Sequence, residues 1–564
     1  MLASGKVHTE LDSSEVKARV QELITEGITS LAICFLHSYA NPSHEQKARQ
    51  IVGENFPELD VSCSHEITPR IREYERASTT VIDAYVKPIV KNYVSDLSKQ
   101  LGLLGFRGRF LLMTCTGGVV ESDVALKVPV LLLESGPVAG VAMAKEIAEE
   151  LNLEGVFSFD MGGTTAKGCV IKDRKIEKSY EFEAARSDKF RRGSGVPVSI
   201  PVVSLIETGS GGGSIARVDE LGLIRVGPQS AGSKPGPACY ALGGSDATVT
   251  DADLLLGYID EEYFAGGKMR LRRDLARRAV EKMAKKLGVS PEQAAWAIHE
   301  RVNEDVATAF RLYASEAGVD YRSYAFVPYG GAGPIHAIQI AKKLGLARAV
   351  IPPRTGVLSA EGLLVSPLSV DLAQTKRIEL SDFSFEDYQK TFHDIIKKGS
   401  ELLIRAGVRK THLSVRRVLD MCYHGQGYDI PVTLEGGEPT RQEFSKLSEH
   451  FESTYKRKYT IAKFSKFIDI TSFKVTISSG GGIQMRNYVQ QGPATPKRKL
   501  RRAFDPTTKE FREFLVLSRY SLRTGTSSIR GPALIQEAES TTVIPSESTS
   551  RVDRFGNILV KIRS

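Results

Sequence analysis

The spacing of apolar residues predicts that helices and strands alternate over the first part of the chain. Apolar residues recur every three or four positions in three helical segments: Ser13–Glu26, Ser43–Asn55 and Val81–Leu103. Short apolar runs predict three buried strands: Ser30–Leu36, Asp60–Ser64 and Arg109–Met113. Such alternation is typical of an α/β architecture. We therefore predict a first α/β domain over residues 1–125.

The pattern changes twice further along the chain. Glycines interrupt residues 126–370, which we predict to be a second domain, and a helix begins there at Ser290, with Pro291 and Gln293 in its first turn. After the helical stretch Phe385–Ala406, short alternating strands dominate. Residues 371–564 are therefore predicted to form a separate, β-rich C-terminal domain.

Composition places the chain among soluble globular proteins. Its 564 residues are enough for roughly three or four domains, and 41% are hydrophobic and 25% charged. Lys and Arg exceed Asp and Glu by 76 to 67, which gives a mild net charge of +9. The densest basic run, Lys497–Arg502, lacks interleaved aromatic residues, and we interpret it as a solvated linker. We therefore predict no nucleic-acid partner.

Cysteine usage and hydropathy point to a cytoplasmic protein. The six cysteines are scattered and form no Cys-x-x-Cys pair, which argues against a zinc cluster or a disulfide scaffold and favours a reducing compartment. No uninterrupted apolar stretch reaches about 18 residues, so we predict no membrane span. The first residues lack the long apolar core of a signal peptide.

The segment Val156–Lys167 is the strongest candidate for binding chemistry. A buried strand ends at Asp160, and Gly162, Gly163, Thr164, Thr165 and Lys167 precede or begin a second apolar run. Glycine backbone N–H groups, threonine hydroxyls and a lysine together suit phosphate groups, and an aspartate can hold hydrated Mg²⁺. These groups suit a nucleotide triphosphate. An ordinary hairpin is the alternative interpretation.

Three further glycine-rich segments resemble site loops. The run Glu134–Pro137 follows a predicted strand, Val128–Leu133, and begins a small-residue helix, a geometry that favours anions but also suits a plain connection. The run Gly209–Ser214, with Gly211 and Gly212, is flanked by apolar residues and predicts a packed loop near a ligand. In Tyr329–Pro334, paired glycines between a strand and a helix would let a nucleoside lie against the backbone.

Two polar segments have competing interpretations. Asp251, in Thr248–Asp253, would either cap a helix or complete a cation site opposite Asp160. His424, between two predicted strands, would serve either as a turn residue or as a substrate contact. His336, one turn into a predicted helix, is interpreted as a helix histidine with satisfied polar groups rather than as a metal ligand.

Taken together, these segments resemble the A subunit of the hydantoinase/oxoprolinase family, which includes ATP-dependent hydantoinases, 5-oxoprolinase and ATP-binding subunits of ketone carboxylases. Matching segments follow the family order over nearly the whole chain: His65–Arg76, Glu134–Pro137, Phe159–Lys167, Gly209–Ala216, Pro235–Tyr240, Thr250–Ala252, Gly330–Pro334, Gly425–Tyr428, Gly531–Ala533 and Thr541–Val543.

The resemblance implies an actin/sugar-kinase-like core that clamps ATP between two ribonuclease-H-like halves. It implies that Asp160 to Lys167 are the second of two phosphate hairpins and that Gly330, Gly331 and Gly333 hold the nucleoside. Asp160 and Asp251 would then hold Mg²⁺ or orient the reacting group. It also implies a B-type partner subunit, and we expect a homo-oligomer. The family's first hairpin, of the type D-x-G-G-T-F-T-D, has no counterpart before residue 156.

The function that this resemblance implies is ATP-dependent hydrolysis of a cyclic amide of the hydantoin or 5-oxoproline type, by phosphorylation of the substrate carbonyl. The same nucleotide motifs suit the ATP-binding subunit of a ketone carboxylase. A nucleotide-binding or assembly subunit without turnover is an alternative of another class. Thermal stabilisation by nucleotide without phosphate release would identify that third function.

Overall fold

A computed structural model describes residues 1–180, 182–185, 193–459, 465–482, 499–525 and 527–562. Contacts within the chain define two compact units, and each is built from segments that are distant in sequence. Unit 1 consists of Met1–Ser135, Lys178–Val203 and Ser366–Gly482. Unit 2 consists of Gly136–Glu177, Ser204–Val365 and the described part of Ile483–Ser564. The three domains predicted along the sequence remain a prediction.

Unit 2 is built on a mixed sheet of nine strands. Eight of them follow one another across the sheet in this order: Ile206–Thr208, Ala166–Lys172, Gly155–Met161, Ala325–Tyr329, Arg348–Ile351, Ile558–Lys561, Thr549–Val552 and Ser528–Arg530, while Lys175–Ile176 pairs beside Ala166–Lys172. The three central strands, from Gly155–Met161 to Arg348–Ile351, run parallel, and the other pairs are antiparallel.

The remaining elements of unit 2 cover or extend this sheet. Its helices are Ser135–Glu150, Val249–Leu255, Arg273–Leu287, Pro291–Glu316, Gly333–Lys343 and Leu358–Val365. Two more sheets contain the strands Ser214–Val218 and Ile224–Ser230, and the strands Lys499–Asp505, Glu510–Ser518, Ala533–Gln536 and Thr541–Ile544.

The strand Gly155–Met161 shows why both sheet faces are covered. Its side chains alternate, so that Phe157 packs edge-to-face on Phe310 of the helix Pro291–Glu316, with ring centroids 4.9 Å apart. At the next position along the strand, the Ser158 hydroxyl oxygen lies 2.8 Å from the Tyr329 hydroxyl oxygen. The Tyr329 ring occupies the space beside Gly140 of the helix Ser135–Glu150, where a Cβ would clash. Nearly continuous burial of this strand therefore follows from helices on both sides.

Unit 1 contains an α/β part and a β-rich part. Its helices are Ser13–Thr25, Ser43–Asn55, Ser64–Ile67, Glu73–Leu103, Ser122–Lys127, Phe385–Arg405, Arg441–Ser445 and Leu447–Tyr459. Its strands are Ser30–Ile33, Asp60–Cys63, Leu111–Met113, Val119–Glu121, Lys178–Ser179, Phe182–Ala184, Val196–Val198, Val202–Val203, Ser369–Glu379, Leu413–Tyr423, Ile430–Thr433 and Ile468–Ser479.

The long helix of the C-terminal part covers a four-stranded sheet. The sheet order is Ser369–Glu379, Ile468–Ser479, Leu413–Tyr423, Ile430–Thr433. Phe392 of the helix Phe385–Arg405 packs on Phe473, with ring centroids 5.2 Å apart. Gly399 lets the helix approach closely, because a Cβ there would lie 2.4 Å from Ile477. The predicted β-rich C-terminal region is confirmed.

Two sequence predictions about local structure are wrong. Val128–Leu133 is not a strand: Pro129 has no N–H for a sheet and a fixed φ, and it begins the 3-10 helix Pro129–Leu132. The basic run is not wholly a linker, since Lys499–Asp505 pairs antiparallel with Glu510–Ser518 and Arg501 forms an ion pair with Asp260. The rest of the run, Lys497 and Arg498, lies outside the described residues.

Candidate functional site

The hairpin predicted at Asp160 is present in unit 2, and its phosphate-binding role stays a prediction. Its two strands, Gly155–Met161 and Ala166–Lys172, pair antiparallel with Asp160 opposite Lys167. The connection closes through a hydrogen bond from the Gly162 N–H to the Thr165 carbonyl at 3.3 Å. We call residues 155–172 the Asp160 hairpin and residues 162–165 its turn. Burial of the first strand fixes the hairpin, while Gly163 and Thr164 of the turn are exposed.

The glycine segment Gly209–Gly213 lies directly on this turn. The Gly212 N–H donates to the Gly162 carbonyl at 2.9 Å, and the Gly213 N–H donates to the Gly163 carbonyl at 2.6 Å. A Cβ on Gly211 would lie 2.5 to 2.7 Å from backbone atoms of Thr164 and Thr165. The packing predicted for this glycine loop is present, whereas its position near a ligand stays a prediction. Glycine is required at 211 because the two backbones touch.

The glycines of the turn itself have a different environment. A Cβ built on Gly162 or on Gly163 meets no atom within 4 Å, and neither residue has a positive φ. Packing and backbone conformation therefore do not require glycine at these positions. A surface of accessible backbone without side chains is what a bound anion would use.

Asp160 is a partly buried carboxylate at the end of the strand. Burial raises the pKa of Asp160 to about 6, and the Lys167 ammonium opposes this increase. The Lys167 Nζ lies 3.9 Å from a carboxylate oxygen of Glu207 on the neighbouring strand. In such surroundings, a cation that binds next to the carboxylate stabilises its ionised form.

The segment Gly330–Gly333 lies against Asp160 from the adjacent parallel strand. Gly330 has φ +81°, and a Cβ there would lie 2.5 Å from the Asp160 Oδ1. The Ala332 N–H donates to the Met161 carbonyl at 3.0 Å, and the helix Gly333–Lys343 begins there. A Cβ on Gly331 would lie 3.3 Å from the Glu539 carbonyl, whereas Gly333 has only ordinary contacts. The structure therefore brings the predicted nucleoside segment and the Asp160 hairpin together.

Asp251 has a structural role that differs from the metal and catalytic roles assigned to it. It is fully buried in the first turn of the helix Val249–Leu255 and forms a capping box with Thr248. Its carboxylate accepts hydrogen bonds from the N–H groups of Ala238, Cys239 and Thr248 and from the Thr248 hydroxyl, at 2.7 to 3.2 Å. Because four donors already occupy both oxygens, we remove Asp251 from the proposed cation site.

Thr250, next to Asp251, connects this helix to the glycine segment. Its N–H and its hydroxyl donate to the Gly212 carbonyl at 2.7 and 2.8 Å. The helix that Asp251 caps therefore supports the segment that lies on the turn of the Asp160 hairpin. Asp251 contributes to this arrangement by holding that helix.

Sequence reasoning missed a buried polar network in unit 2. The Asp253 carboxylate lies 2.7 Å from His299 Nδ1 and 3.3 Å from His336 Nε2, and the two imidazole rings stack with centroids 4.3 Å apart. His336 Nδ1 also lies 2.8 Å from the Asn303 Oδ1. Although burial alone would raise the pKa of Asp253, the two histidines lower it to about 2. The expectation for His336 as a helix histidine with satisfied polar groups holds only for its Nδ1, because its buried Nε2 has no hydrogen-bond partner among the described residues. One ligand atom from each of Asp253, His299 and His336 lies within 4.8 Å of the others, a spacing at which the three residues could hold a metal ion.

Unit 1 contains a second polar cluster, which the sequence did not indicate. The Lys474 Nζ lies 2.5 Å from the Asp420 Oδ2 and 3.3 Å from the centroid of the Tyr180 ring. Burial lowers the pKa of Lys474 to about 8, although Asp420 opposes this decrease. These residues come from three distant segments, so no local pattern could have associated them.

His424 occupies a turn of unit 1, as one of its two interpretations requires. The Gln426 N–H donates to the Tyr423 carbonyl at 3.0 Å and closes the turn. The His424 Nδ1 lies 3.0 Å from a carboxylate oxygen of buried Asp469, while the ring is largely exposed. The exposed ring leaves a substrate contact open as the second interpretation.

The fold and the family follow from comparison with known proteins. A crystal structure of ATP-dependent caprolactamase from Pseudomonas jessenii superposes with a TM-score of 0.82 at 26% identity, over 100% of this chain and 81% of that one. The fold is the actin/sugar-kinase-like fold of the hydantoinases. Family models match residues 76–371 (hydantoinase/oxoprolinase), 1–56 (its N-terminal region) and 381–561 (its C-terminal domain). The chain belongs to the hydantoinase/oxoprolinase family.

Two sequence relatives extend over almost the whole chain. An uncharacterised protein of Methanocaldococcus jannaschii is 34% identical over 99% of this chain and 81% of its own length. The acetophenone carboxylase gamma subunit of Aromatoleum aromaticum is 30% identical over 98% of this chain and 77% of its own length. In the described part of the chain, no helix is long and apolar enough to cross a membrane.

Proposed function

We propose that this protein uses ATP to open a cyclic amide of the hydantoin, 5-oxoproline or lactam type. One observation carries the proposal: a solvent-facing glycine turn, a second glycine segment on it and the partly buried Asp160 carboxylate occur together in unit 2 of a hydantoinase/oxoprolinase family member. The similarity to an ATP-dependent caprolactamase supports a lactam as substrate class.

In this proposal the Asp160 hairpin binds the phosphates of ATP. The ligands would be the Gly163 backbone N–H, the hydroxyls of Thr164 and Thr165 and the Lys167 ammonium. Gly162, whose N–H already donates to the Thr165 carbonyl, would leave the approach to the phosphates free of a side chain. Gly211 and Gly212 pack on the backbone of the turn and maintain its conformation. Gly330, Gly331 and Gly333 would face the nucleoside, where the lack of side chains lets a flat ring approach the backbone.

Asp160 fits a magnesium ion, which phosphate transfer from ATP ordinarily requires. Its carboxylate is desolvated, and the nearby cation, Lys167, does not restore an ordinary pKa. Gly330 lets its backbone lie directly against the Asp160 carboxylate, since a Cβ there would lie 2.5 Å from the Oδ1. Bound Mg²⁺ would neutralise charge on the transferred phosphoryl group.

The carbonyl carbon of an amide is a poor electrophile and must be activated before water can attack it. ATP transfers its terminal phosphoryl group to the amide carbonyl oxygen, and ADP leaves. Water then attacks the ring carbon, the ring C–N bond breaks with proton transfer to nitrogen, and a second water releases phosphate. The protein contributes mainly by positioning and by stabilising charge. By analogy with relatives named as subunits, a B-type subunit would complete the hydrolysis.

A second candidate function is the ATP-binding subunit of a ketone carboxylase. The acetophenone carboxylase subunit, 30% identical over nearly the whole chain, favours it. The ATP site would be the same, and the phosphoryl acceptor would be a ketone enolate or bicarbonate instead of an amide.

Phosphate release by the purified protein, together with any subunit that co-purifies, tests both candidates. We expect release that depends on 5-oxoproline, a hydantoin or caprolactam, and loss of at least about tenfold of this rate in Gly163→Ala. Release that depends instead on a ketone and bicarbonate would support the second candidate. Binding of ATP without release on any of these compounds would contradict both.

A further inference from the structure

The buried network of Asp253, His299 and His336 joins three different helices of unit 2. None of the three residues is more than 1% exposed. Their side chains are of the types that bind transition metals, namely one carboxylate and two imidazoles. The position of their ligand atoms within 4.8 Å of one another would allow a single ion to contact all three.

His336 is held in the tautomer that a metal ligand needs. Its Nδ1 lies 2.8 Å from the Asn303 Oδ1, so Nδ1 carries the proton and donates it to this oxygen. The lone pair is then on Nε2, which is buried and has no hydrogen-bond partner among the described residues. Metal-bound histidines ordinarily donate their second ring N–H to an oxygen acceptor in this way.

The unpartnered Nε2 faces a second acceptor. It lies 3.3 Å from the Asp253 Oδ2, and neither atom supplies a proton to the other when His336 is neutral and Asp253 is ionised. Burial lowers the pKa of His336 below its ordinary value, which keeps the ring neutral at pH 7. A buried carboxylate is stable when it is paired with a cation or coordinates a metal. A cation between the two atoms would meet this need.

We propose that Asp253, His299 and His336 bind one divalent transition-metal ion, for which zinc is the best fit. Two zinc ligands with bonds of about 2.0–2.1 Å at a tetrahedral angle lie about 3.3 Å apart. The His336 Nε2 and the Asp253 Oδ2 already have this separation. His336 would then be a metal ligand, a role that its position in the sequence did not favour. Binding of this ion does not require the ATP reaction proposed above.

His299 must move when the ion binds. Its Nδ1 lies 2.7 Å from the Asp253 Oδ1, and its ring stacks on His336 with 17° between the two planes. To become a ligand, the ring turns about its Cβ–Cγ bond until Nδ1 faces the ion, and its proton resides on Nε2. The ion therefore replaces both the hydrogen bond to Asp253 and the stack on His336.

A surface cavity leads toward the buried residues. Trp296 is partly buried, and its ring stacks on His299 with centroids 5.4 Å apart. The same residue lines a cavity of about 600 Å³ together with Glu300 and Glu304. A movement of the Trp296 side chain would connect this cavity with His299. Because the three ligands are buried, the ion would stabilise the junction of the helices rather than meet a substrate.

Trp296 fluorescence gives a site-specific test, since Trp296 is the only tryptophan of the chain. We expect the full chain, after removal of metal with a chelator, to bind one Zn²⁺ with a dissociation constant below about 1 µM. The fluorescence should change in proportion to bound zinc, because His299 leaves its stack on Trp296. Paramagnetic Co²⁺ in place of zinc should quench it. Zinc should also raise the unfolding temperature.

Substitutions identify the ligands. His336→Gln and Asp253→Asn should each weaken zinc binding at least about tenfold. The matched control is His424→Gln, which removes the histidine of the other such set in the described residues, formed with Glu379 and Asp469 in unit 1. This control should keep the wild-type zinc affinity and fluorescence change. Circular dichroism establishes that each variant is folded.

X-ray absorption spectroscopy of the zinc-loaded wild type tests the site without any substitution. We expect two imidazoles and at least one oxygen in the first coordination shell of the ion. A folded wild type that binds no zinc would overturn the proposal, as would zinc binding that a folded His336→Gln variant retains or that His424→Gln abolishes. A first shell without two imidazoles would overturn it as well.

Discussion

At the scale of single residues, the glycines of the site fall into two groups with different physical roles. At Gly211 and Gly330, another backbone or the Asp160 carboxylate already occupies the position where a Cβ would project. At Gly162 and Gly163 that position is empty. The first group maintains the shape of the site, and the second leaves backbone accessible. Substitution therefore separates folding from binding.

Gly211→Ala should destabilise unit 2. Its Cβ would lie 2.5 to 2.7 Å from backbone atoms of Thr164 and Thr165, which cannot rotate away as a side chain could. We expect the free energy of unfolding to fall by about 2 kcal/mol or more. Gly53→Ala is the control: it lies in the helix Ser43–Asn55 with no atom near its Cβ, and should stabilise the protein by about 0.5–1 kcal/mol. Equal stability of the two variants in urea unfolding would contradict the packing described for Gly211.

The Asp160 carboxylate should make magnesium-dependent ATP binding sensitive to pH. Its pKa of about 6 lies above its usual value of 3.8, so the folded protein retains the proton between about pH 4 and pH 6. Ionisation in this window therefore lowers stability as the pH rises, whereas a cation needs the ionised form. We expect magnesium-dependent affinity to fall about tenfold from pH 7 to pH 5.

Calorimetry at a series of pH values, with Asp160→Asn as control, isolates this effect. The titration of ATP itself is common to both proteins, so the difference between the two pH profiles reports on Asp160. Lys167→Met should move the midpoint to higher pH, because the Lys167 ammonium opposes the increase of the Asp160 pKa. Superimposable profiles of wild type and Asp160→Asn would rule out Asp160 as the cation ligand.

At the scale of elements, Asp251 shows how one residue type can serve two interpretations. The sequence leaves Asp251 two interpretations, a helix cap or a cation ligand, and the capping box with Thr248 and the four hydrogen bonds agree with the first. An asparagine side chain at this position would point its amide N–H donors at backbone N–H groups, which need an acceptor. We therefore expect the substitution to lower the free energy of unfolding.

Asp251→Asn should lower the free energy of unfolding by about 2–3 kcal/mol. The folded variant should keep the wild-type magnesium dependence of ATP binding, because Asp251 does not face the turn in this account. Urea unfolding and calorimetry on the same preparation provide the two measurements. Wild-type stability with lost magnesium dependence would return Asp251 to the cation site.

Local sequence patterns predicted some of these elements well and others poorly. Helices such as Phe385–Arg405 and Pro291–Glu316 were predictable, because apolar spacing and caps are local signals. The 3-10 helix Pro129–Leu132 was not, since an apolar run suits a buried strand and a buried turn equally. The strand Lys499–Asp505 was missed because its pairing partner and the Asp260 ion pair, rather than its own composition, determine it.

At the scale of the whole molecule, local sequence patterns could not predict the division of the chain into two units. Each unit joins three segments of the chain, so the Lys474–Asp420–Tyr180 cluster and the Asp253–His299–His336 network arise only through tertiary packing. Motifs in family order nonetheless identified the family and the fold. The candidate site was predictable because most of its residues lie in contiguous glycine-rich segments.

The central claim is that the turn of the Asp160 hairpin binds the phosphates of ATP. Calorimetric titration of wild type and Gly163→Ala with ATP and magnesium tests it most directly, because the added methyl group meets no protein atom. We expect the wild type to bind one ATP per chain, and Gly163→Ala to bind at least about tenfold more weakly with an unchanged unfolding temperature. Equal ATP affinity of the two folded proteins would contradict the claim.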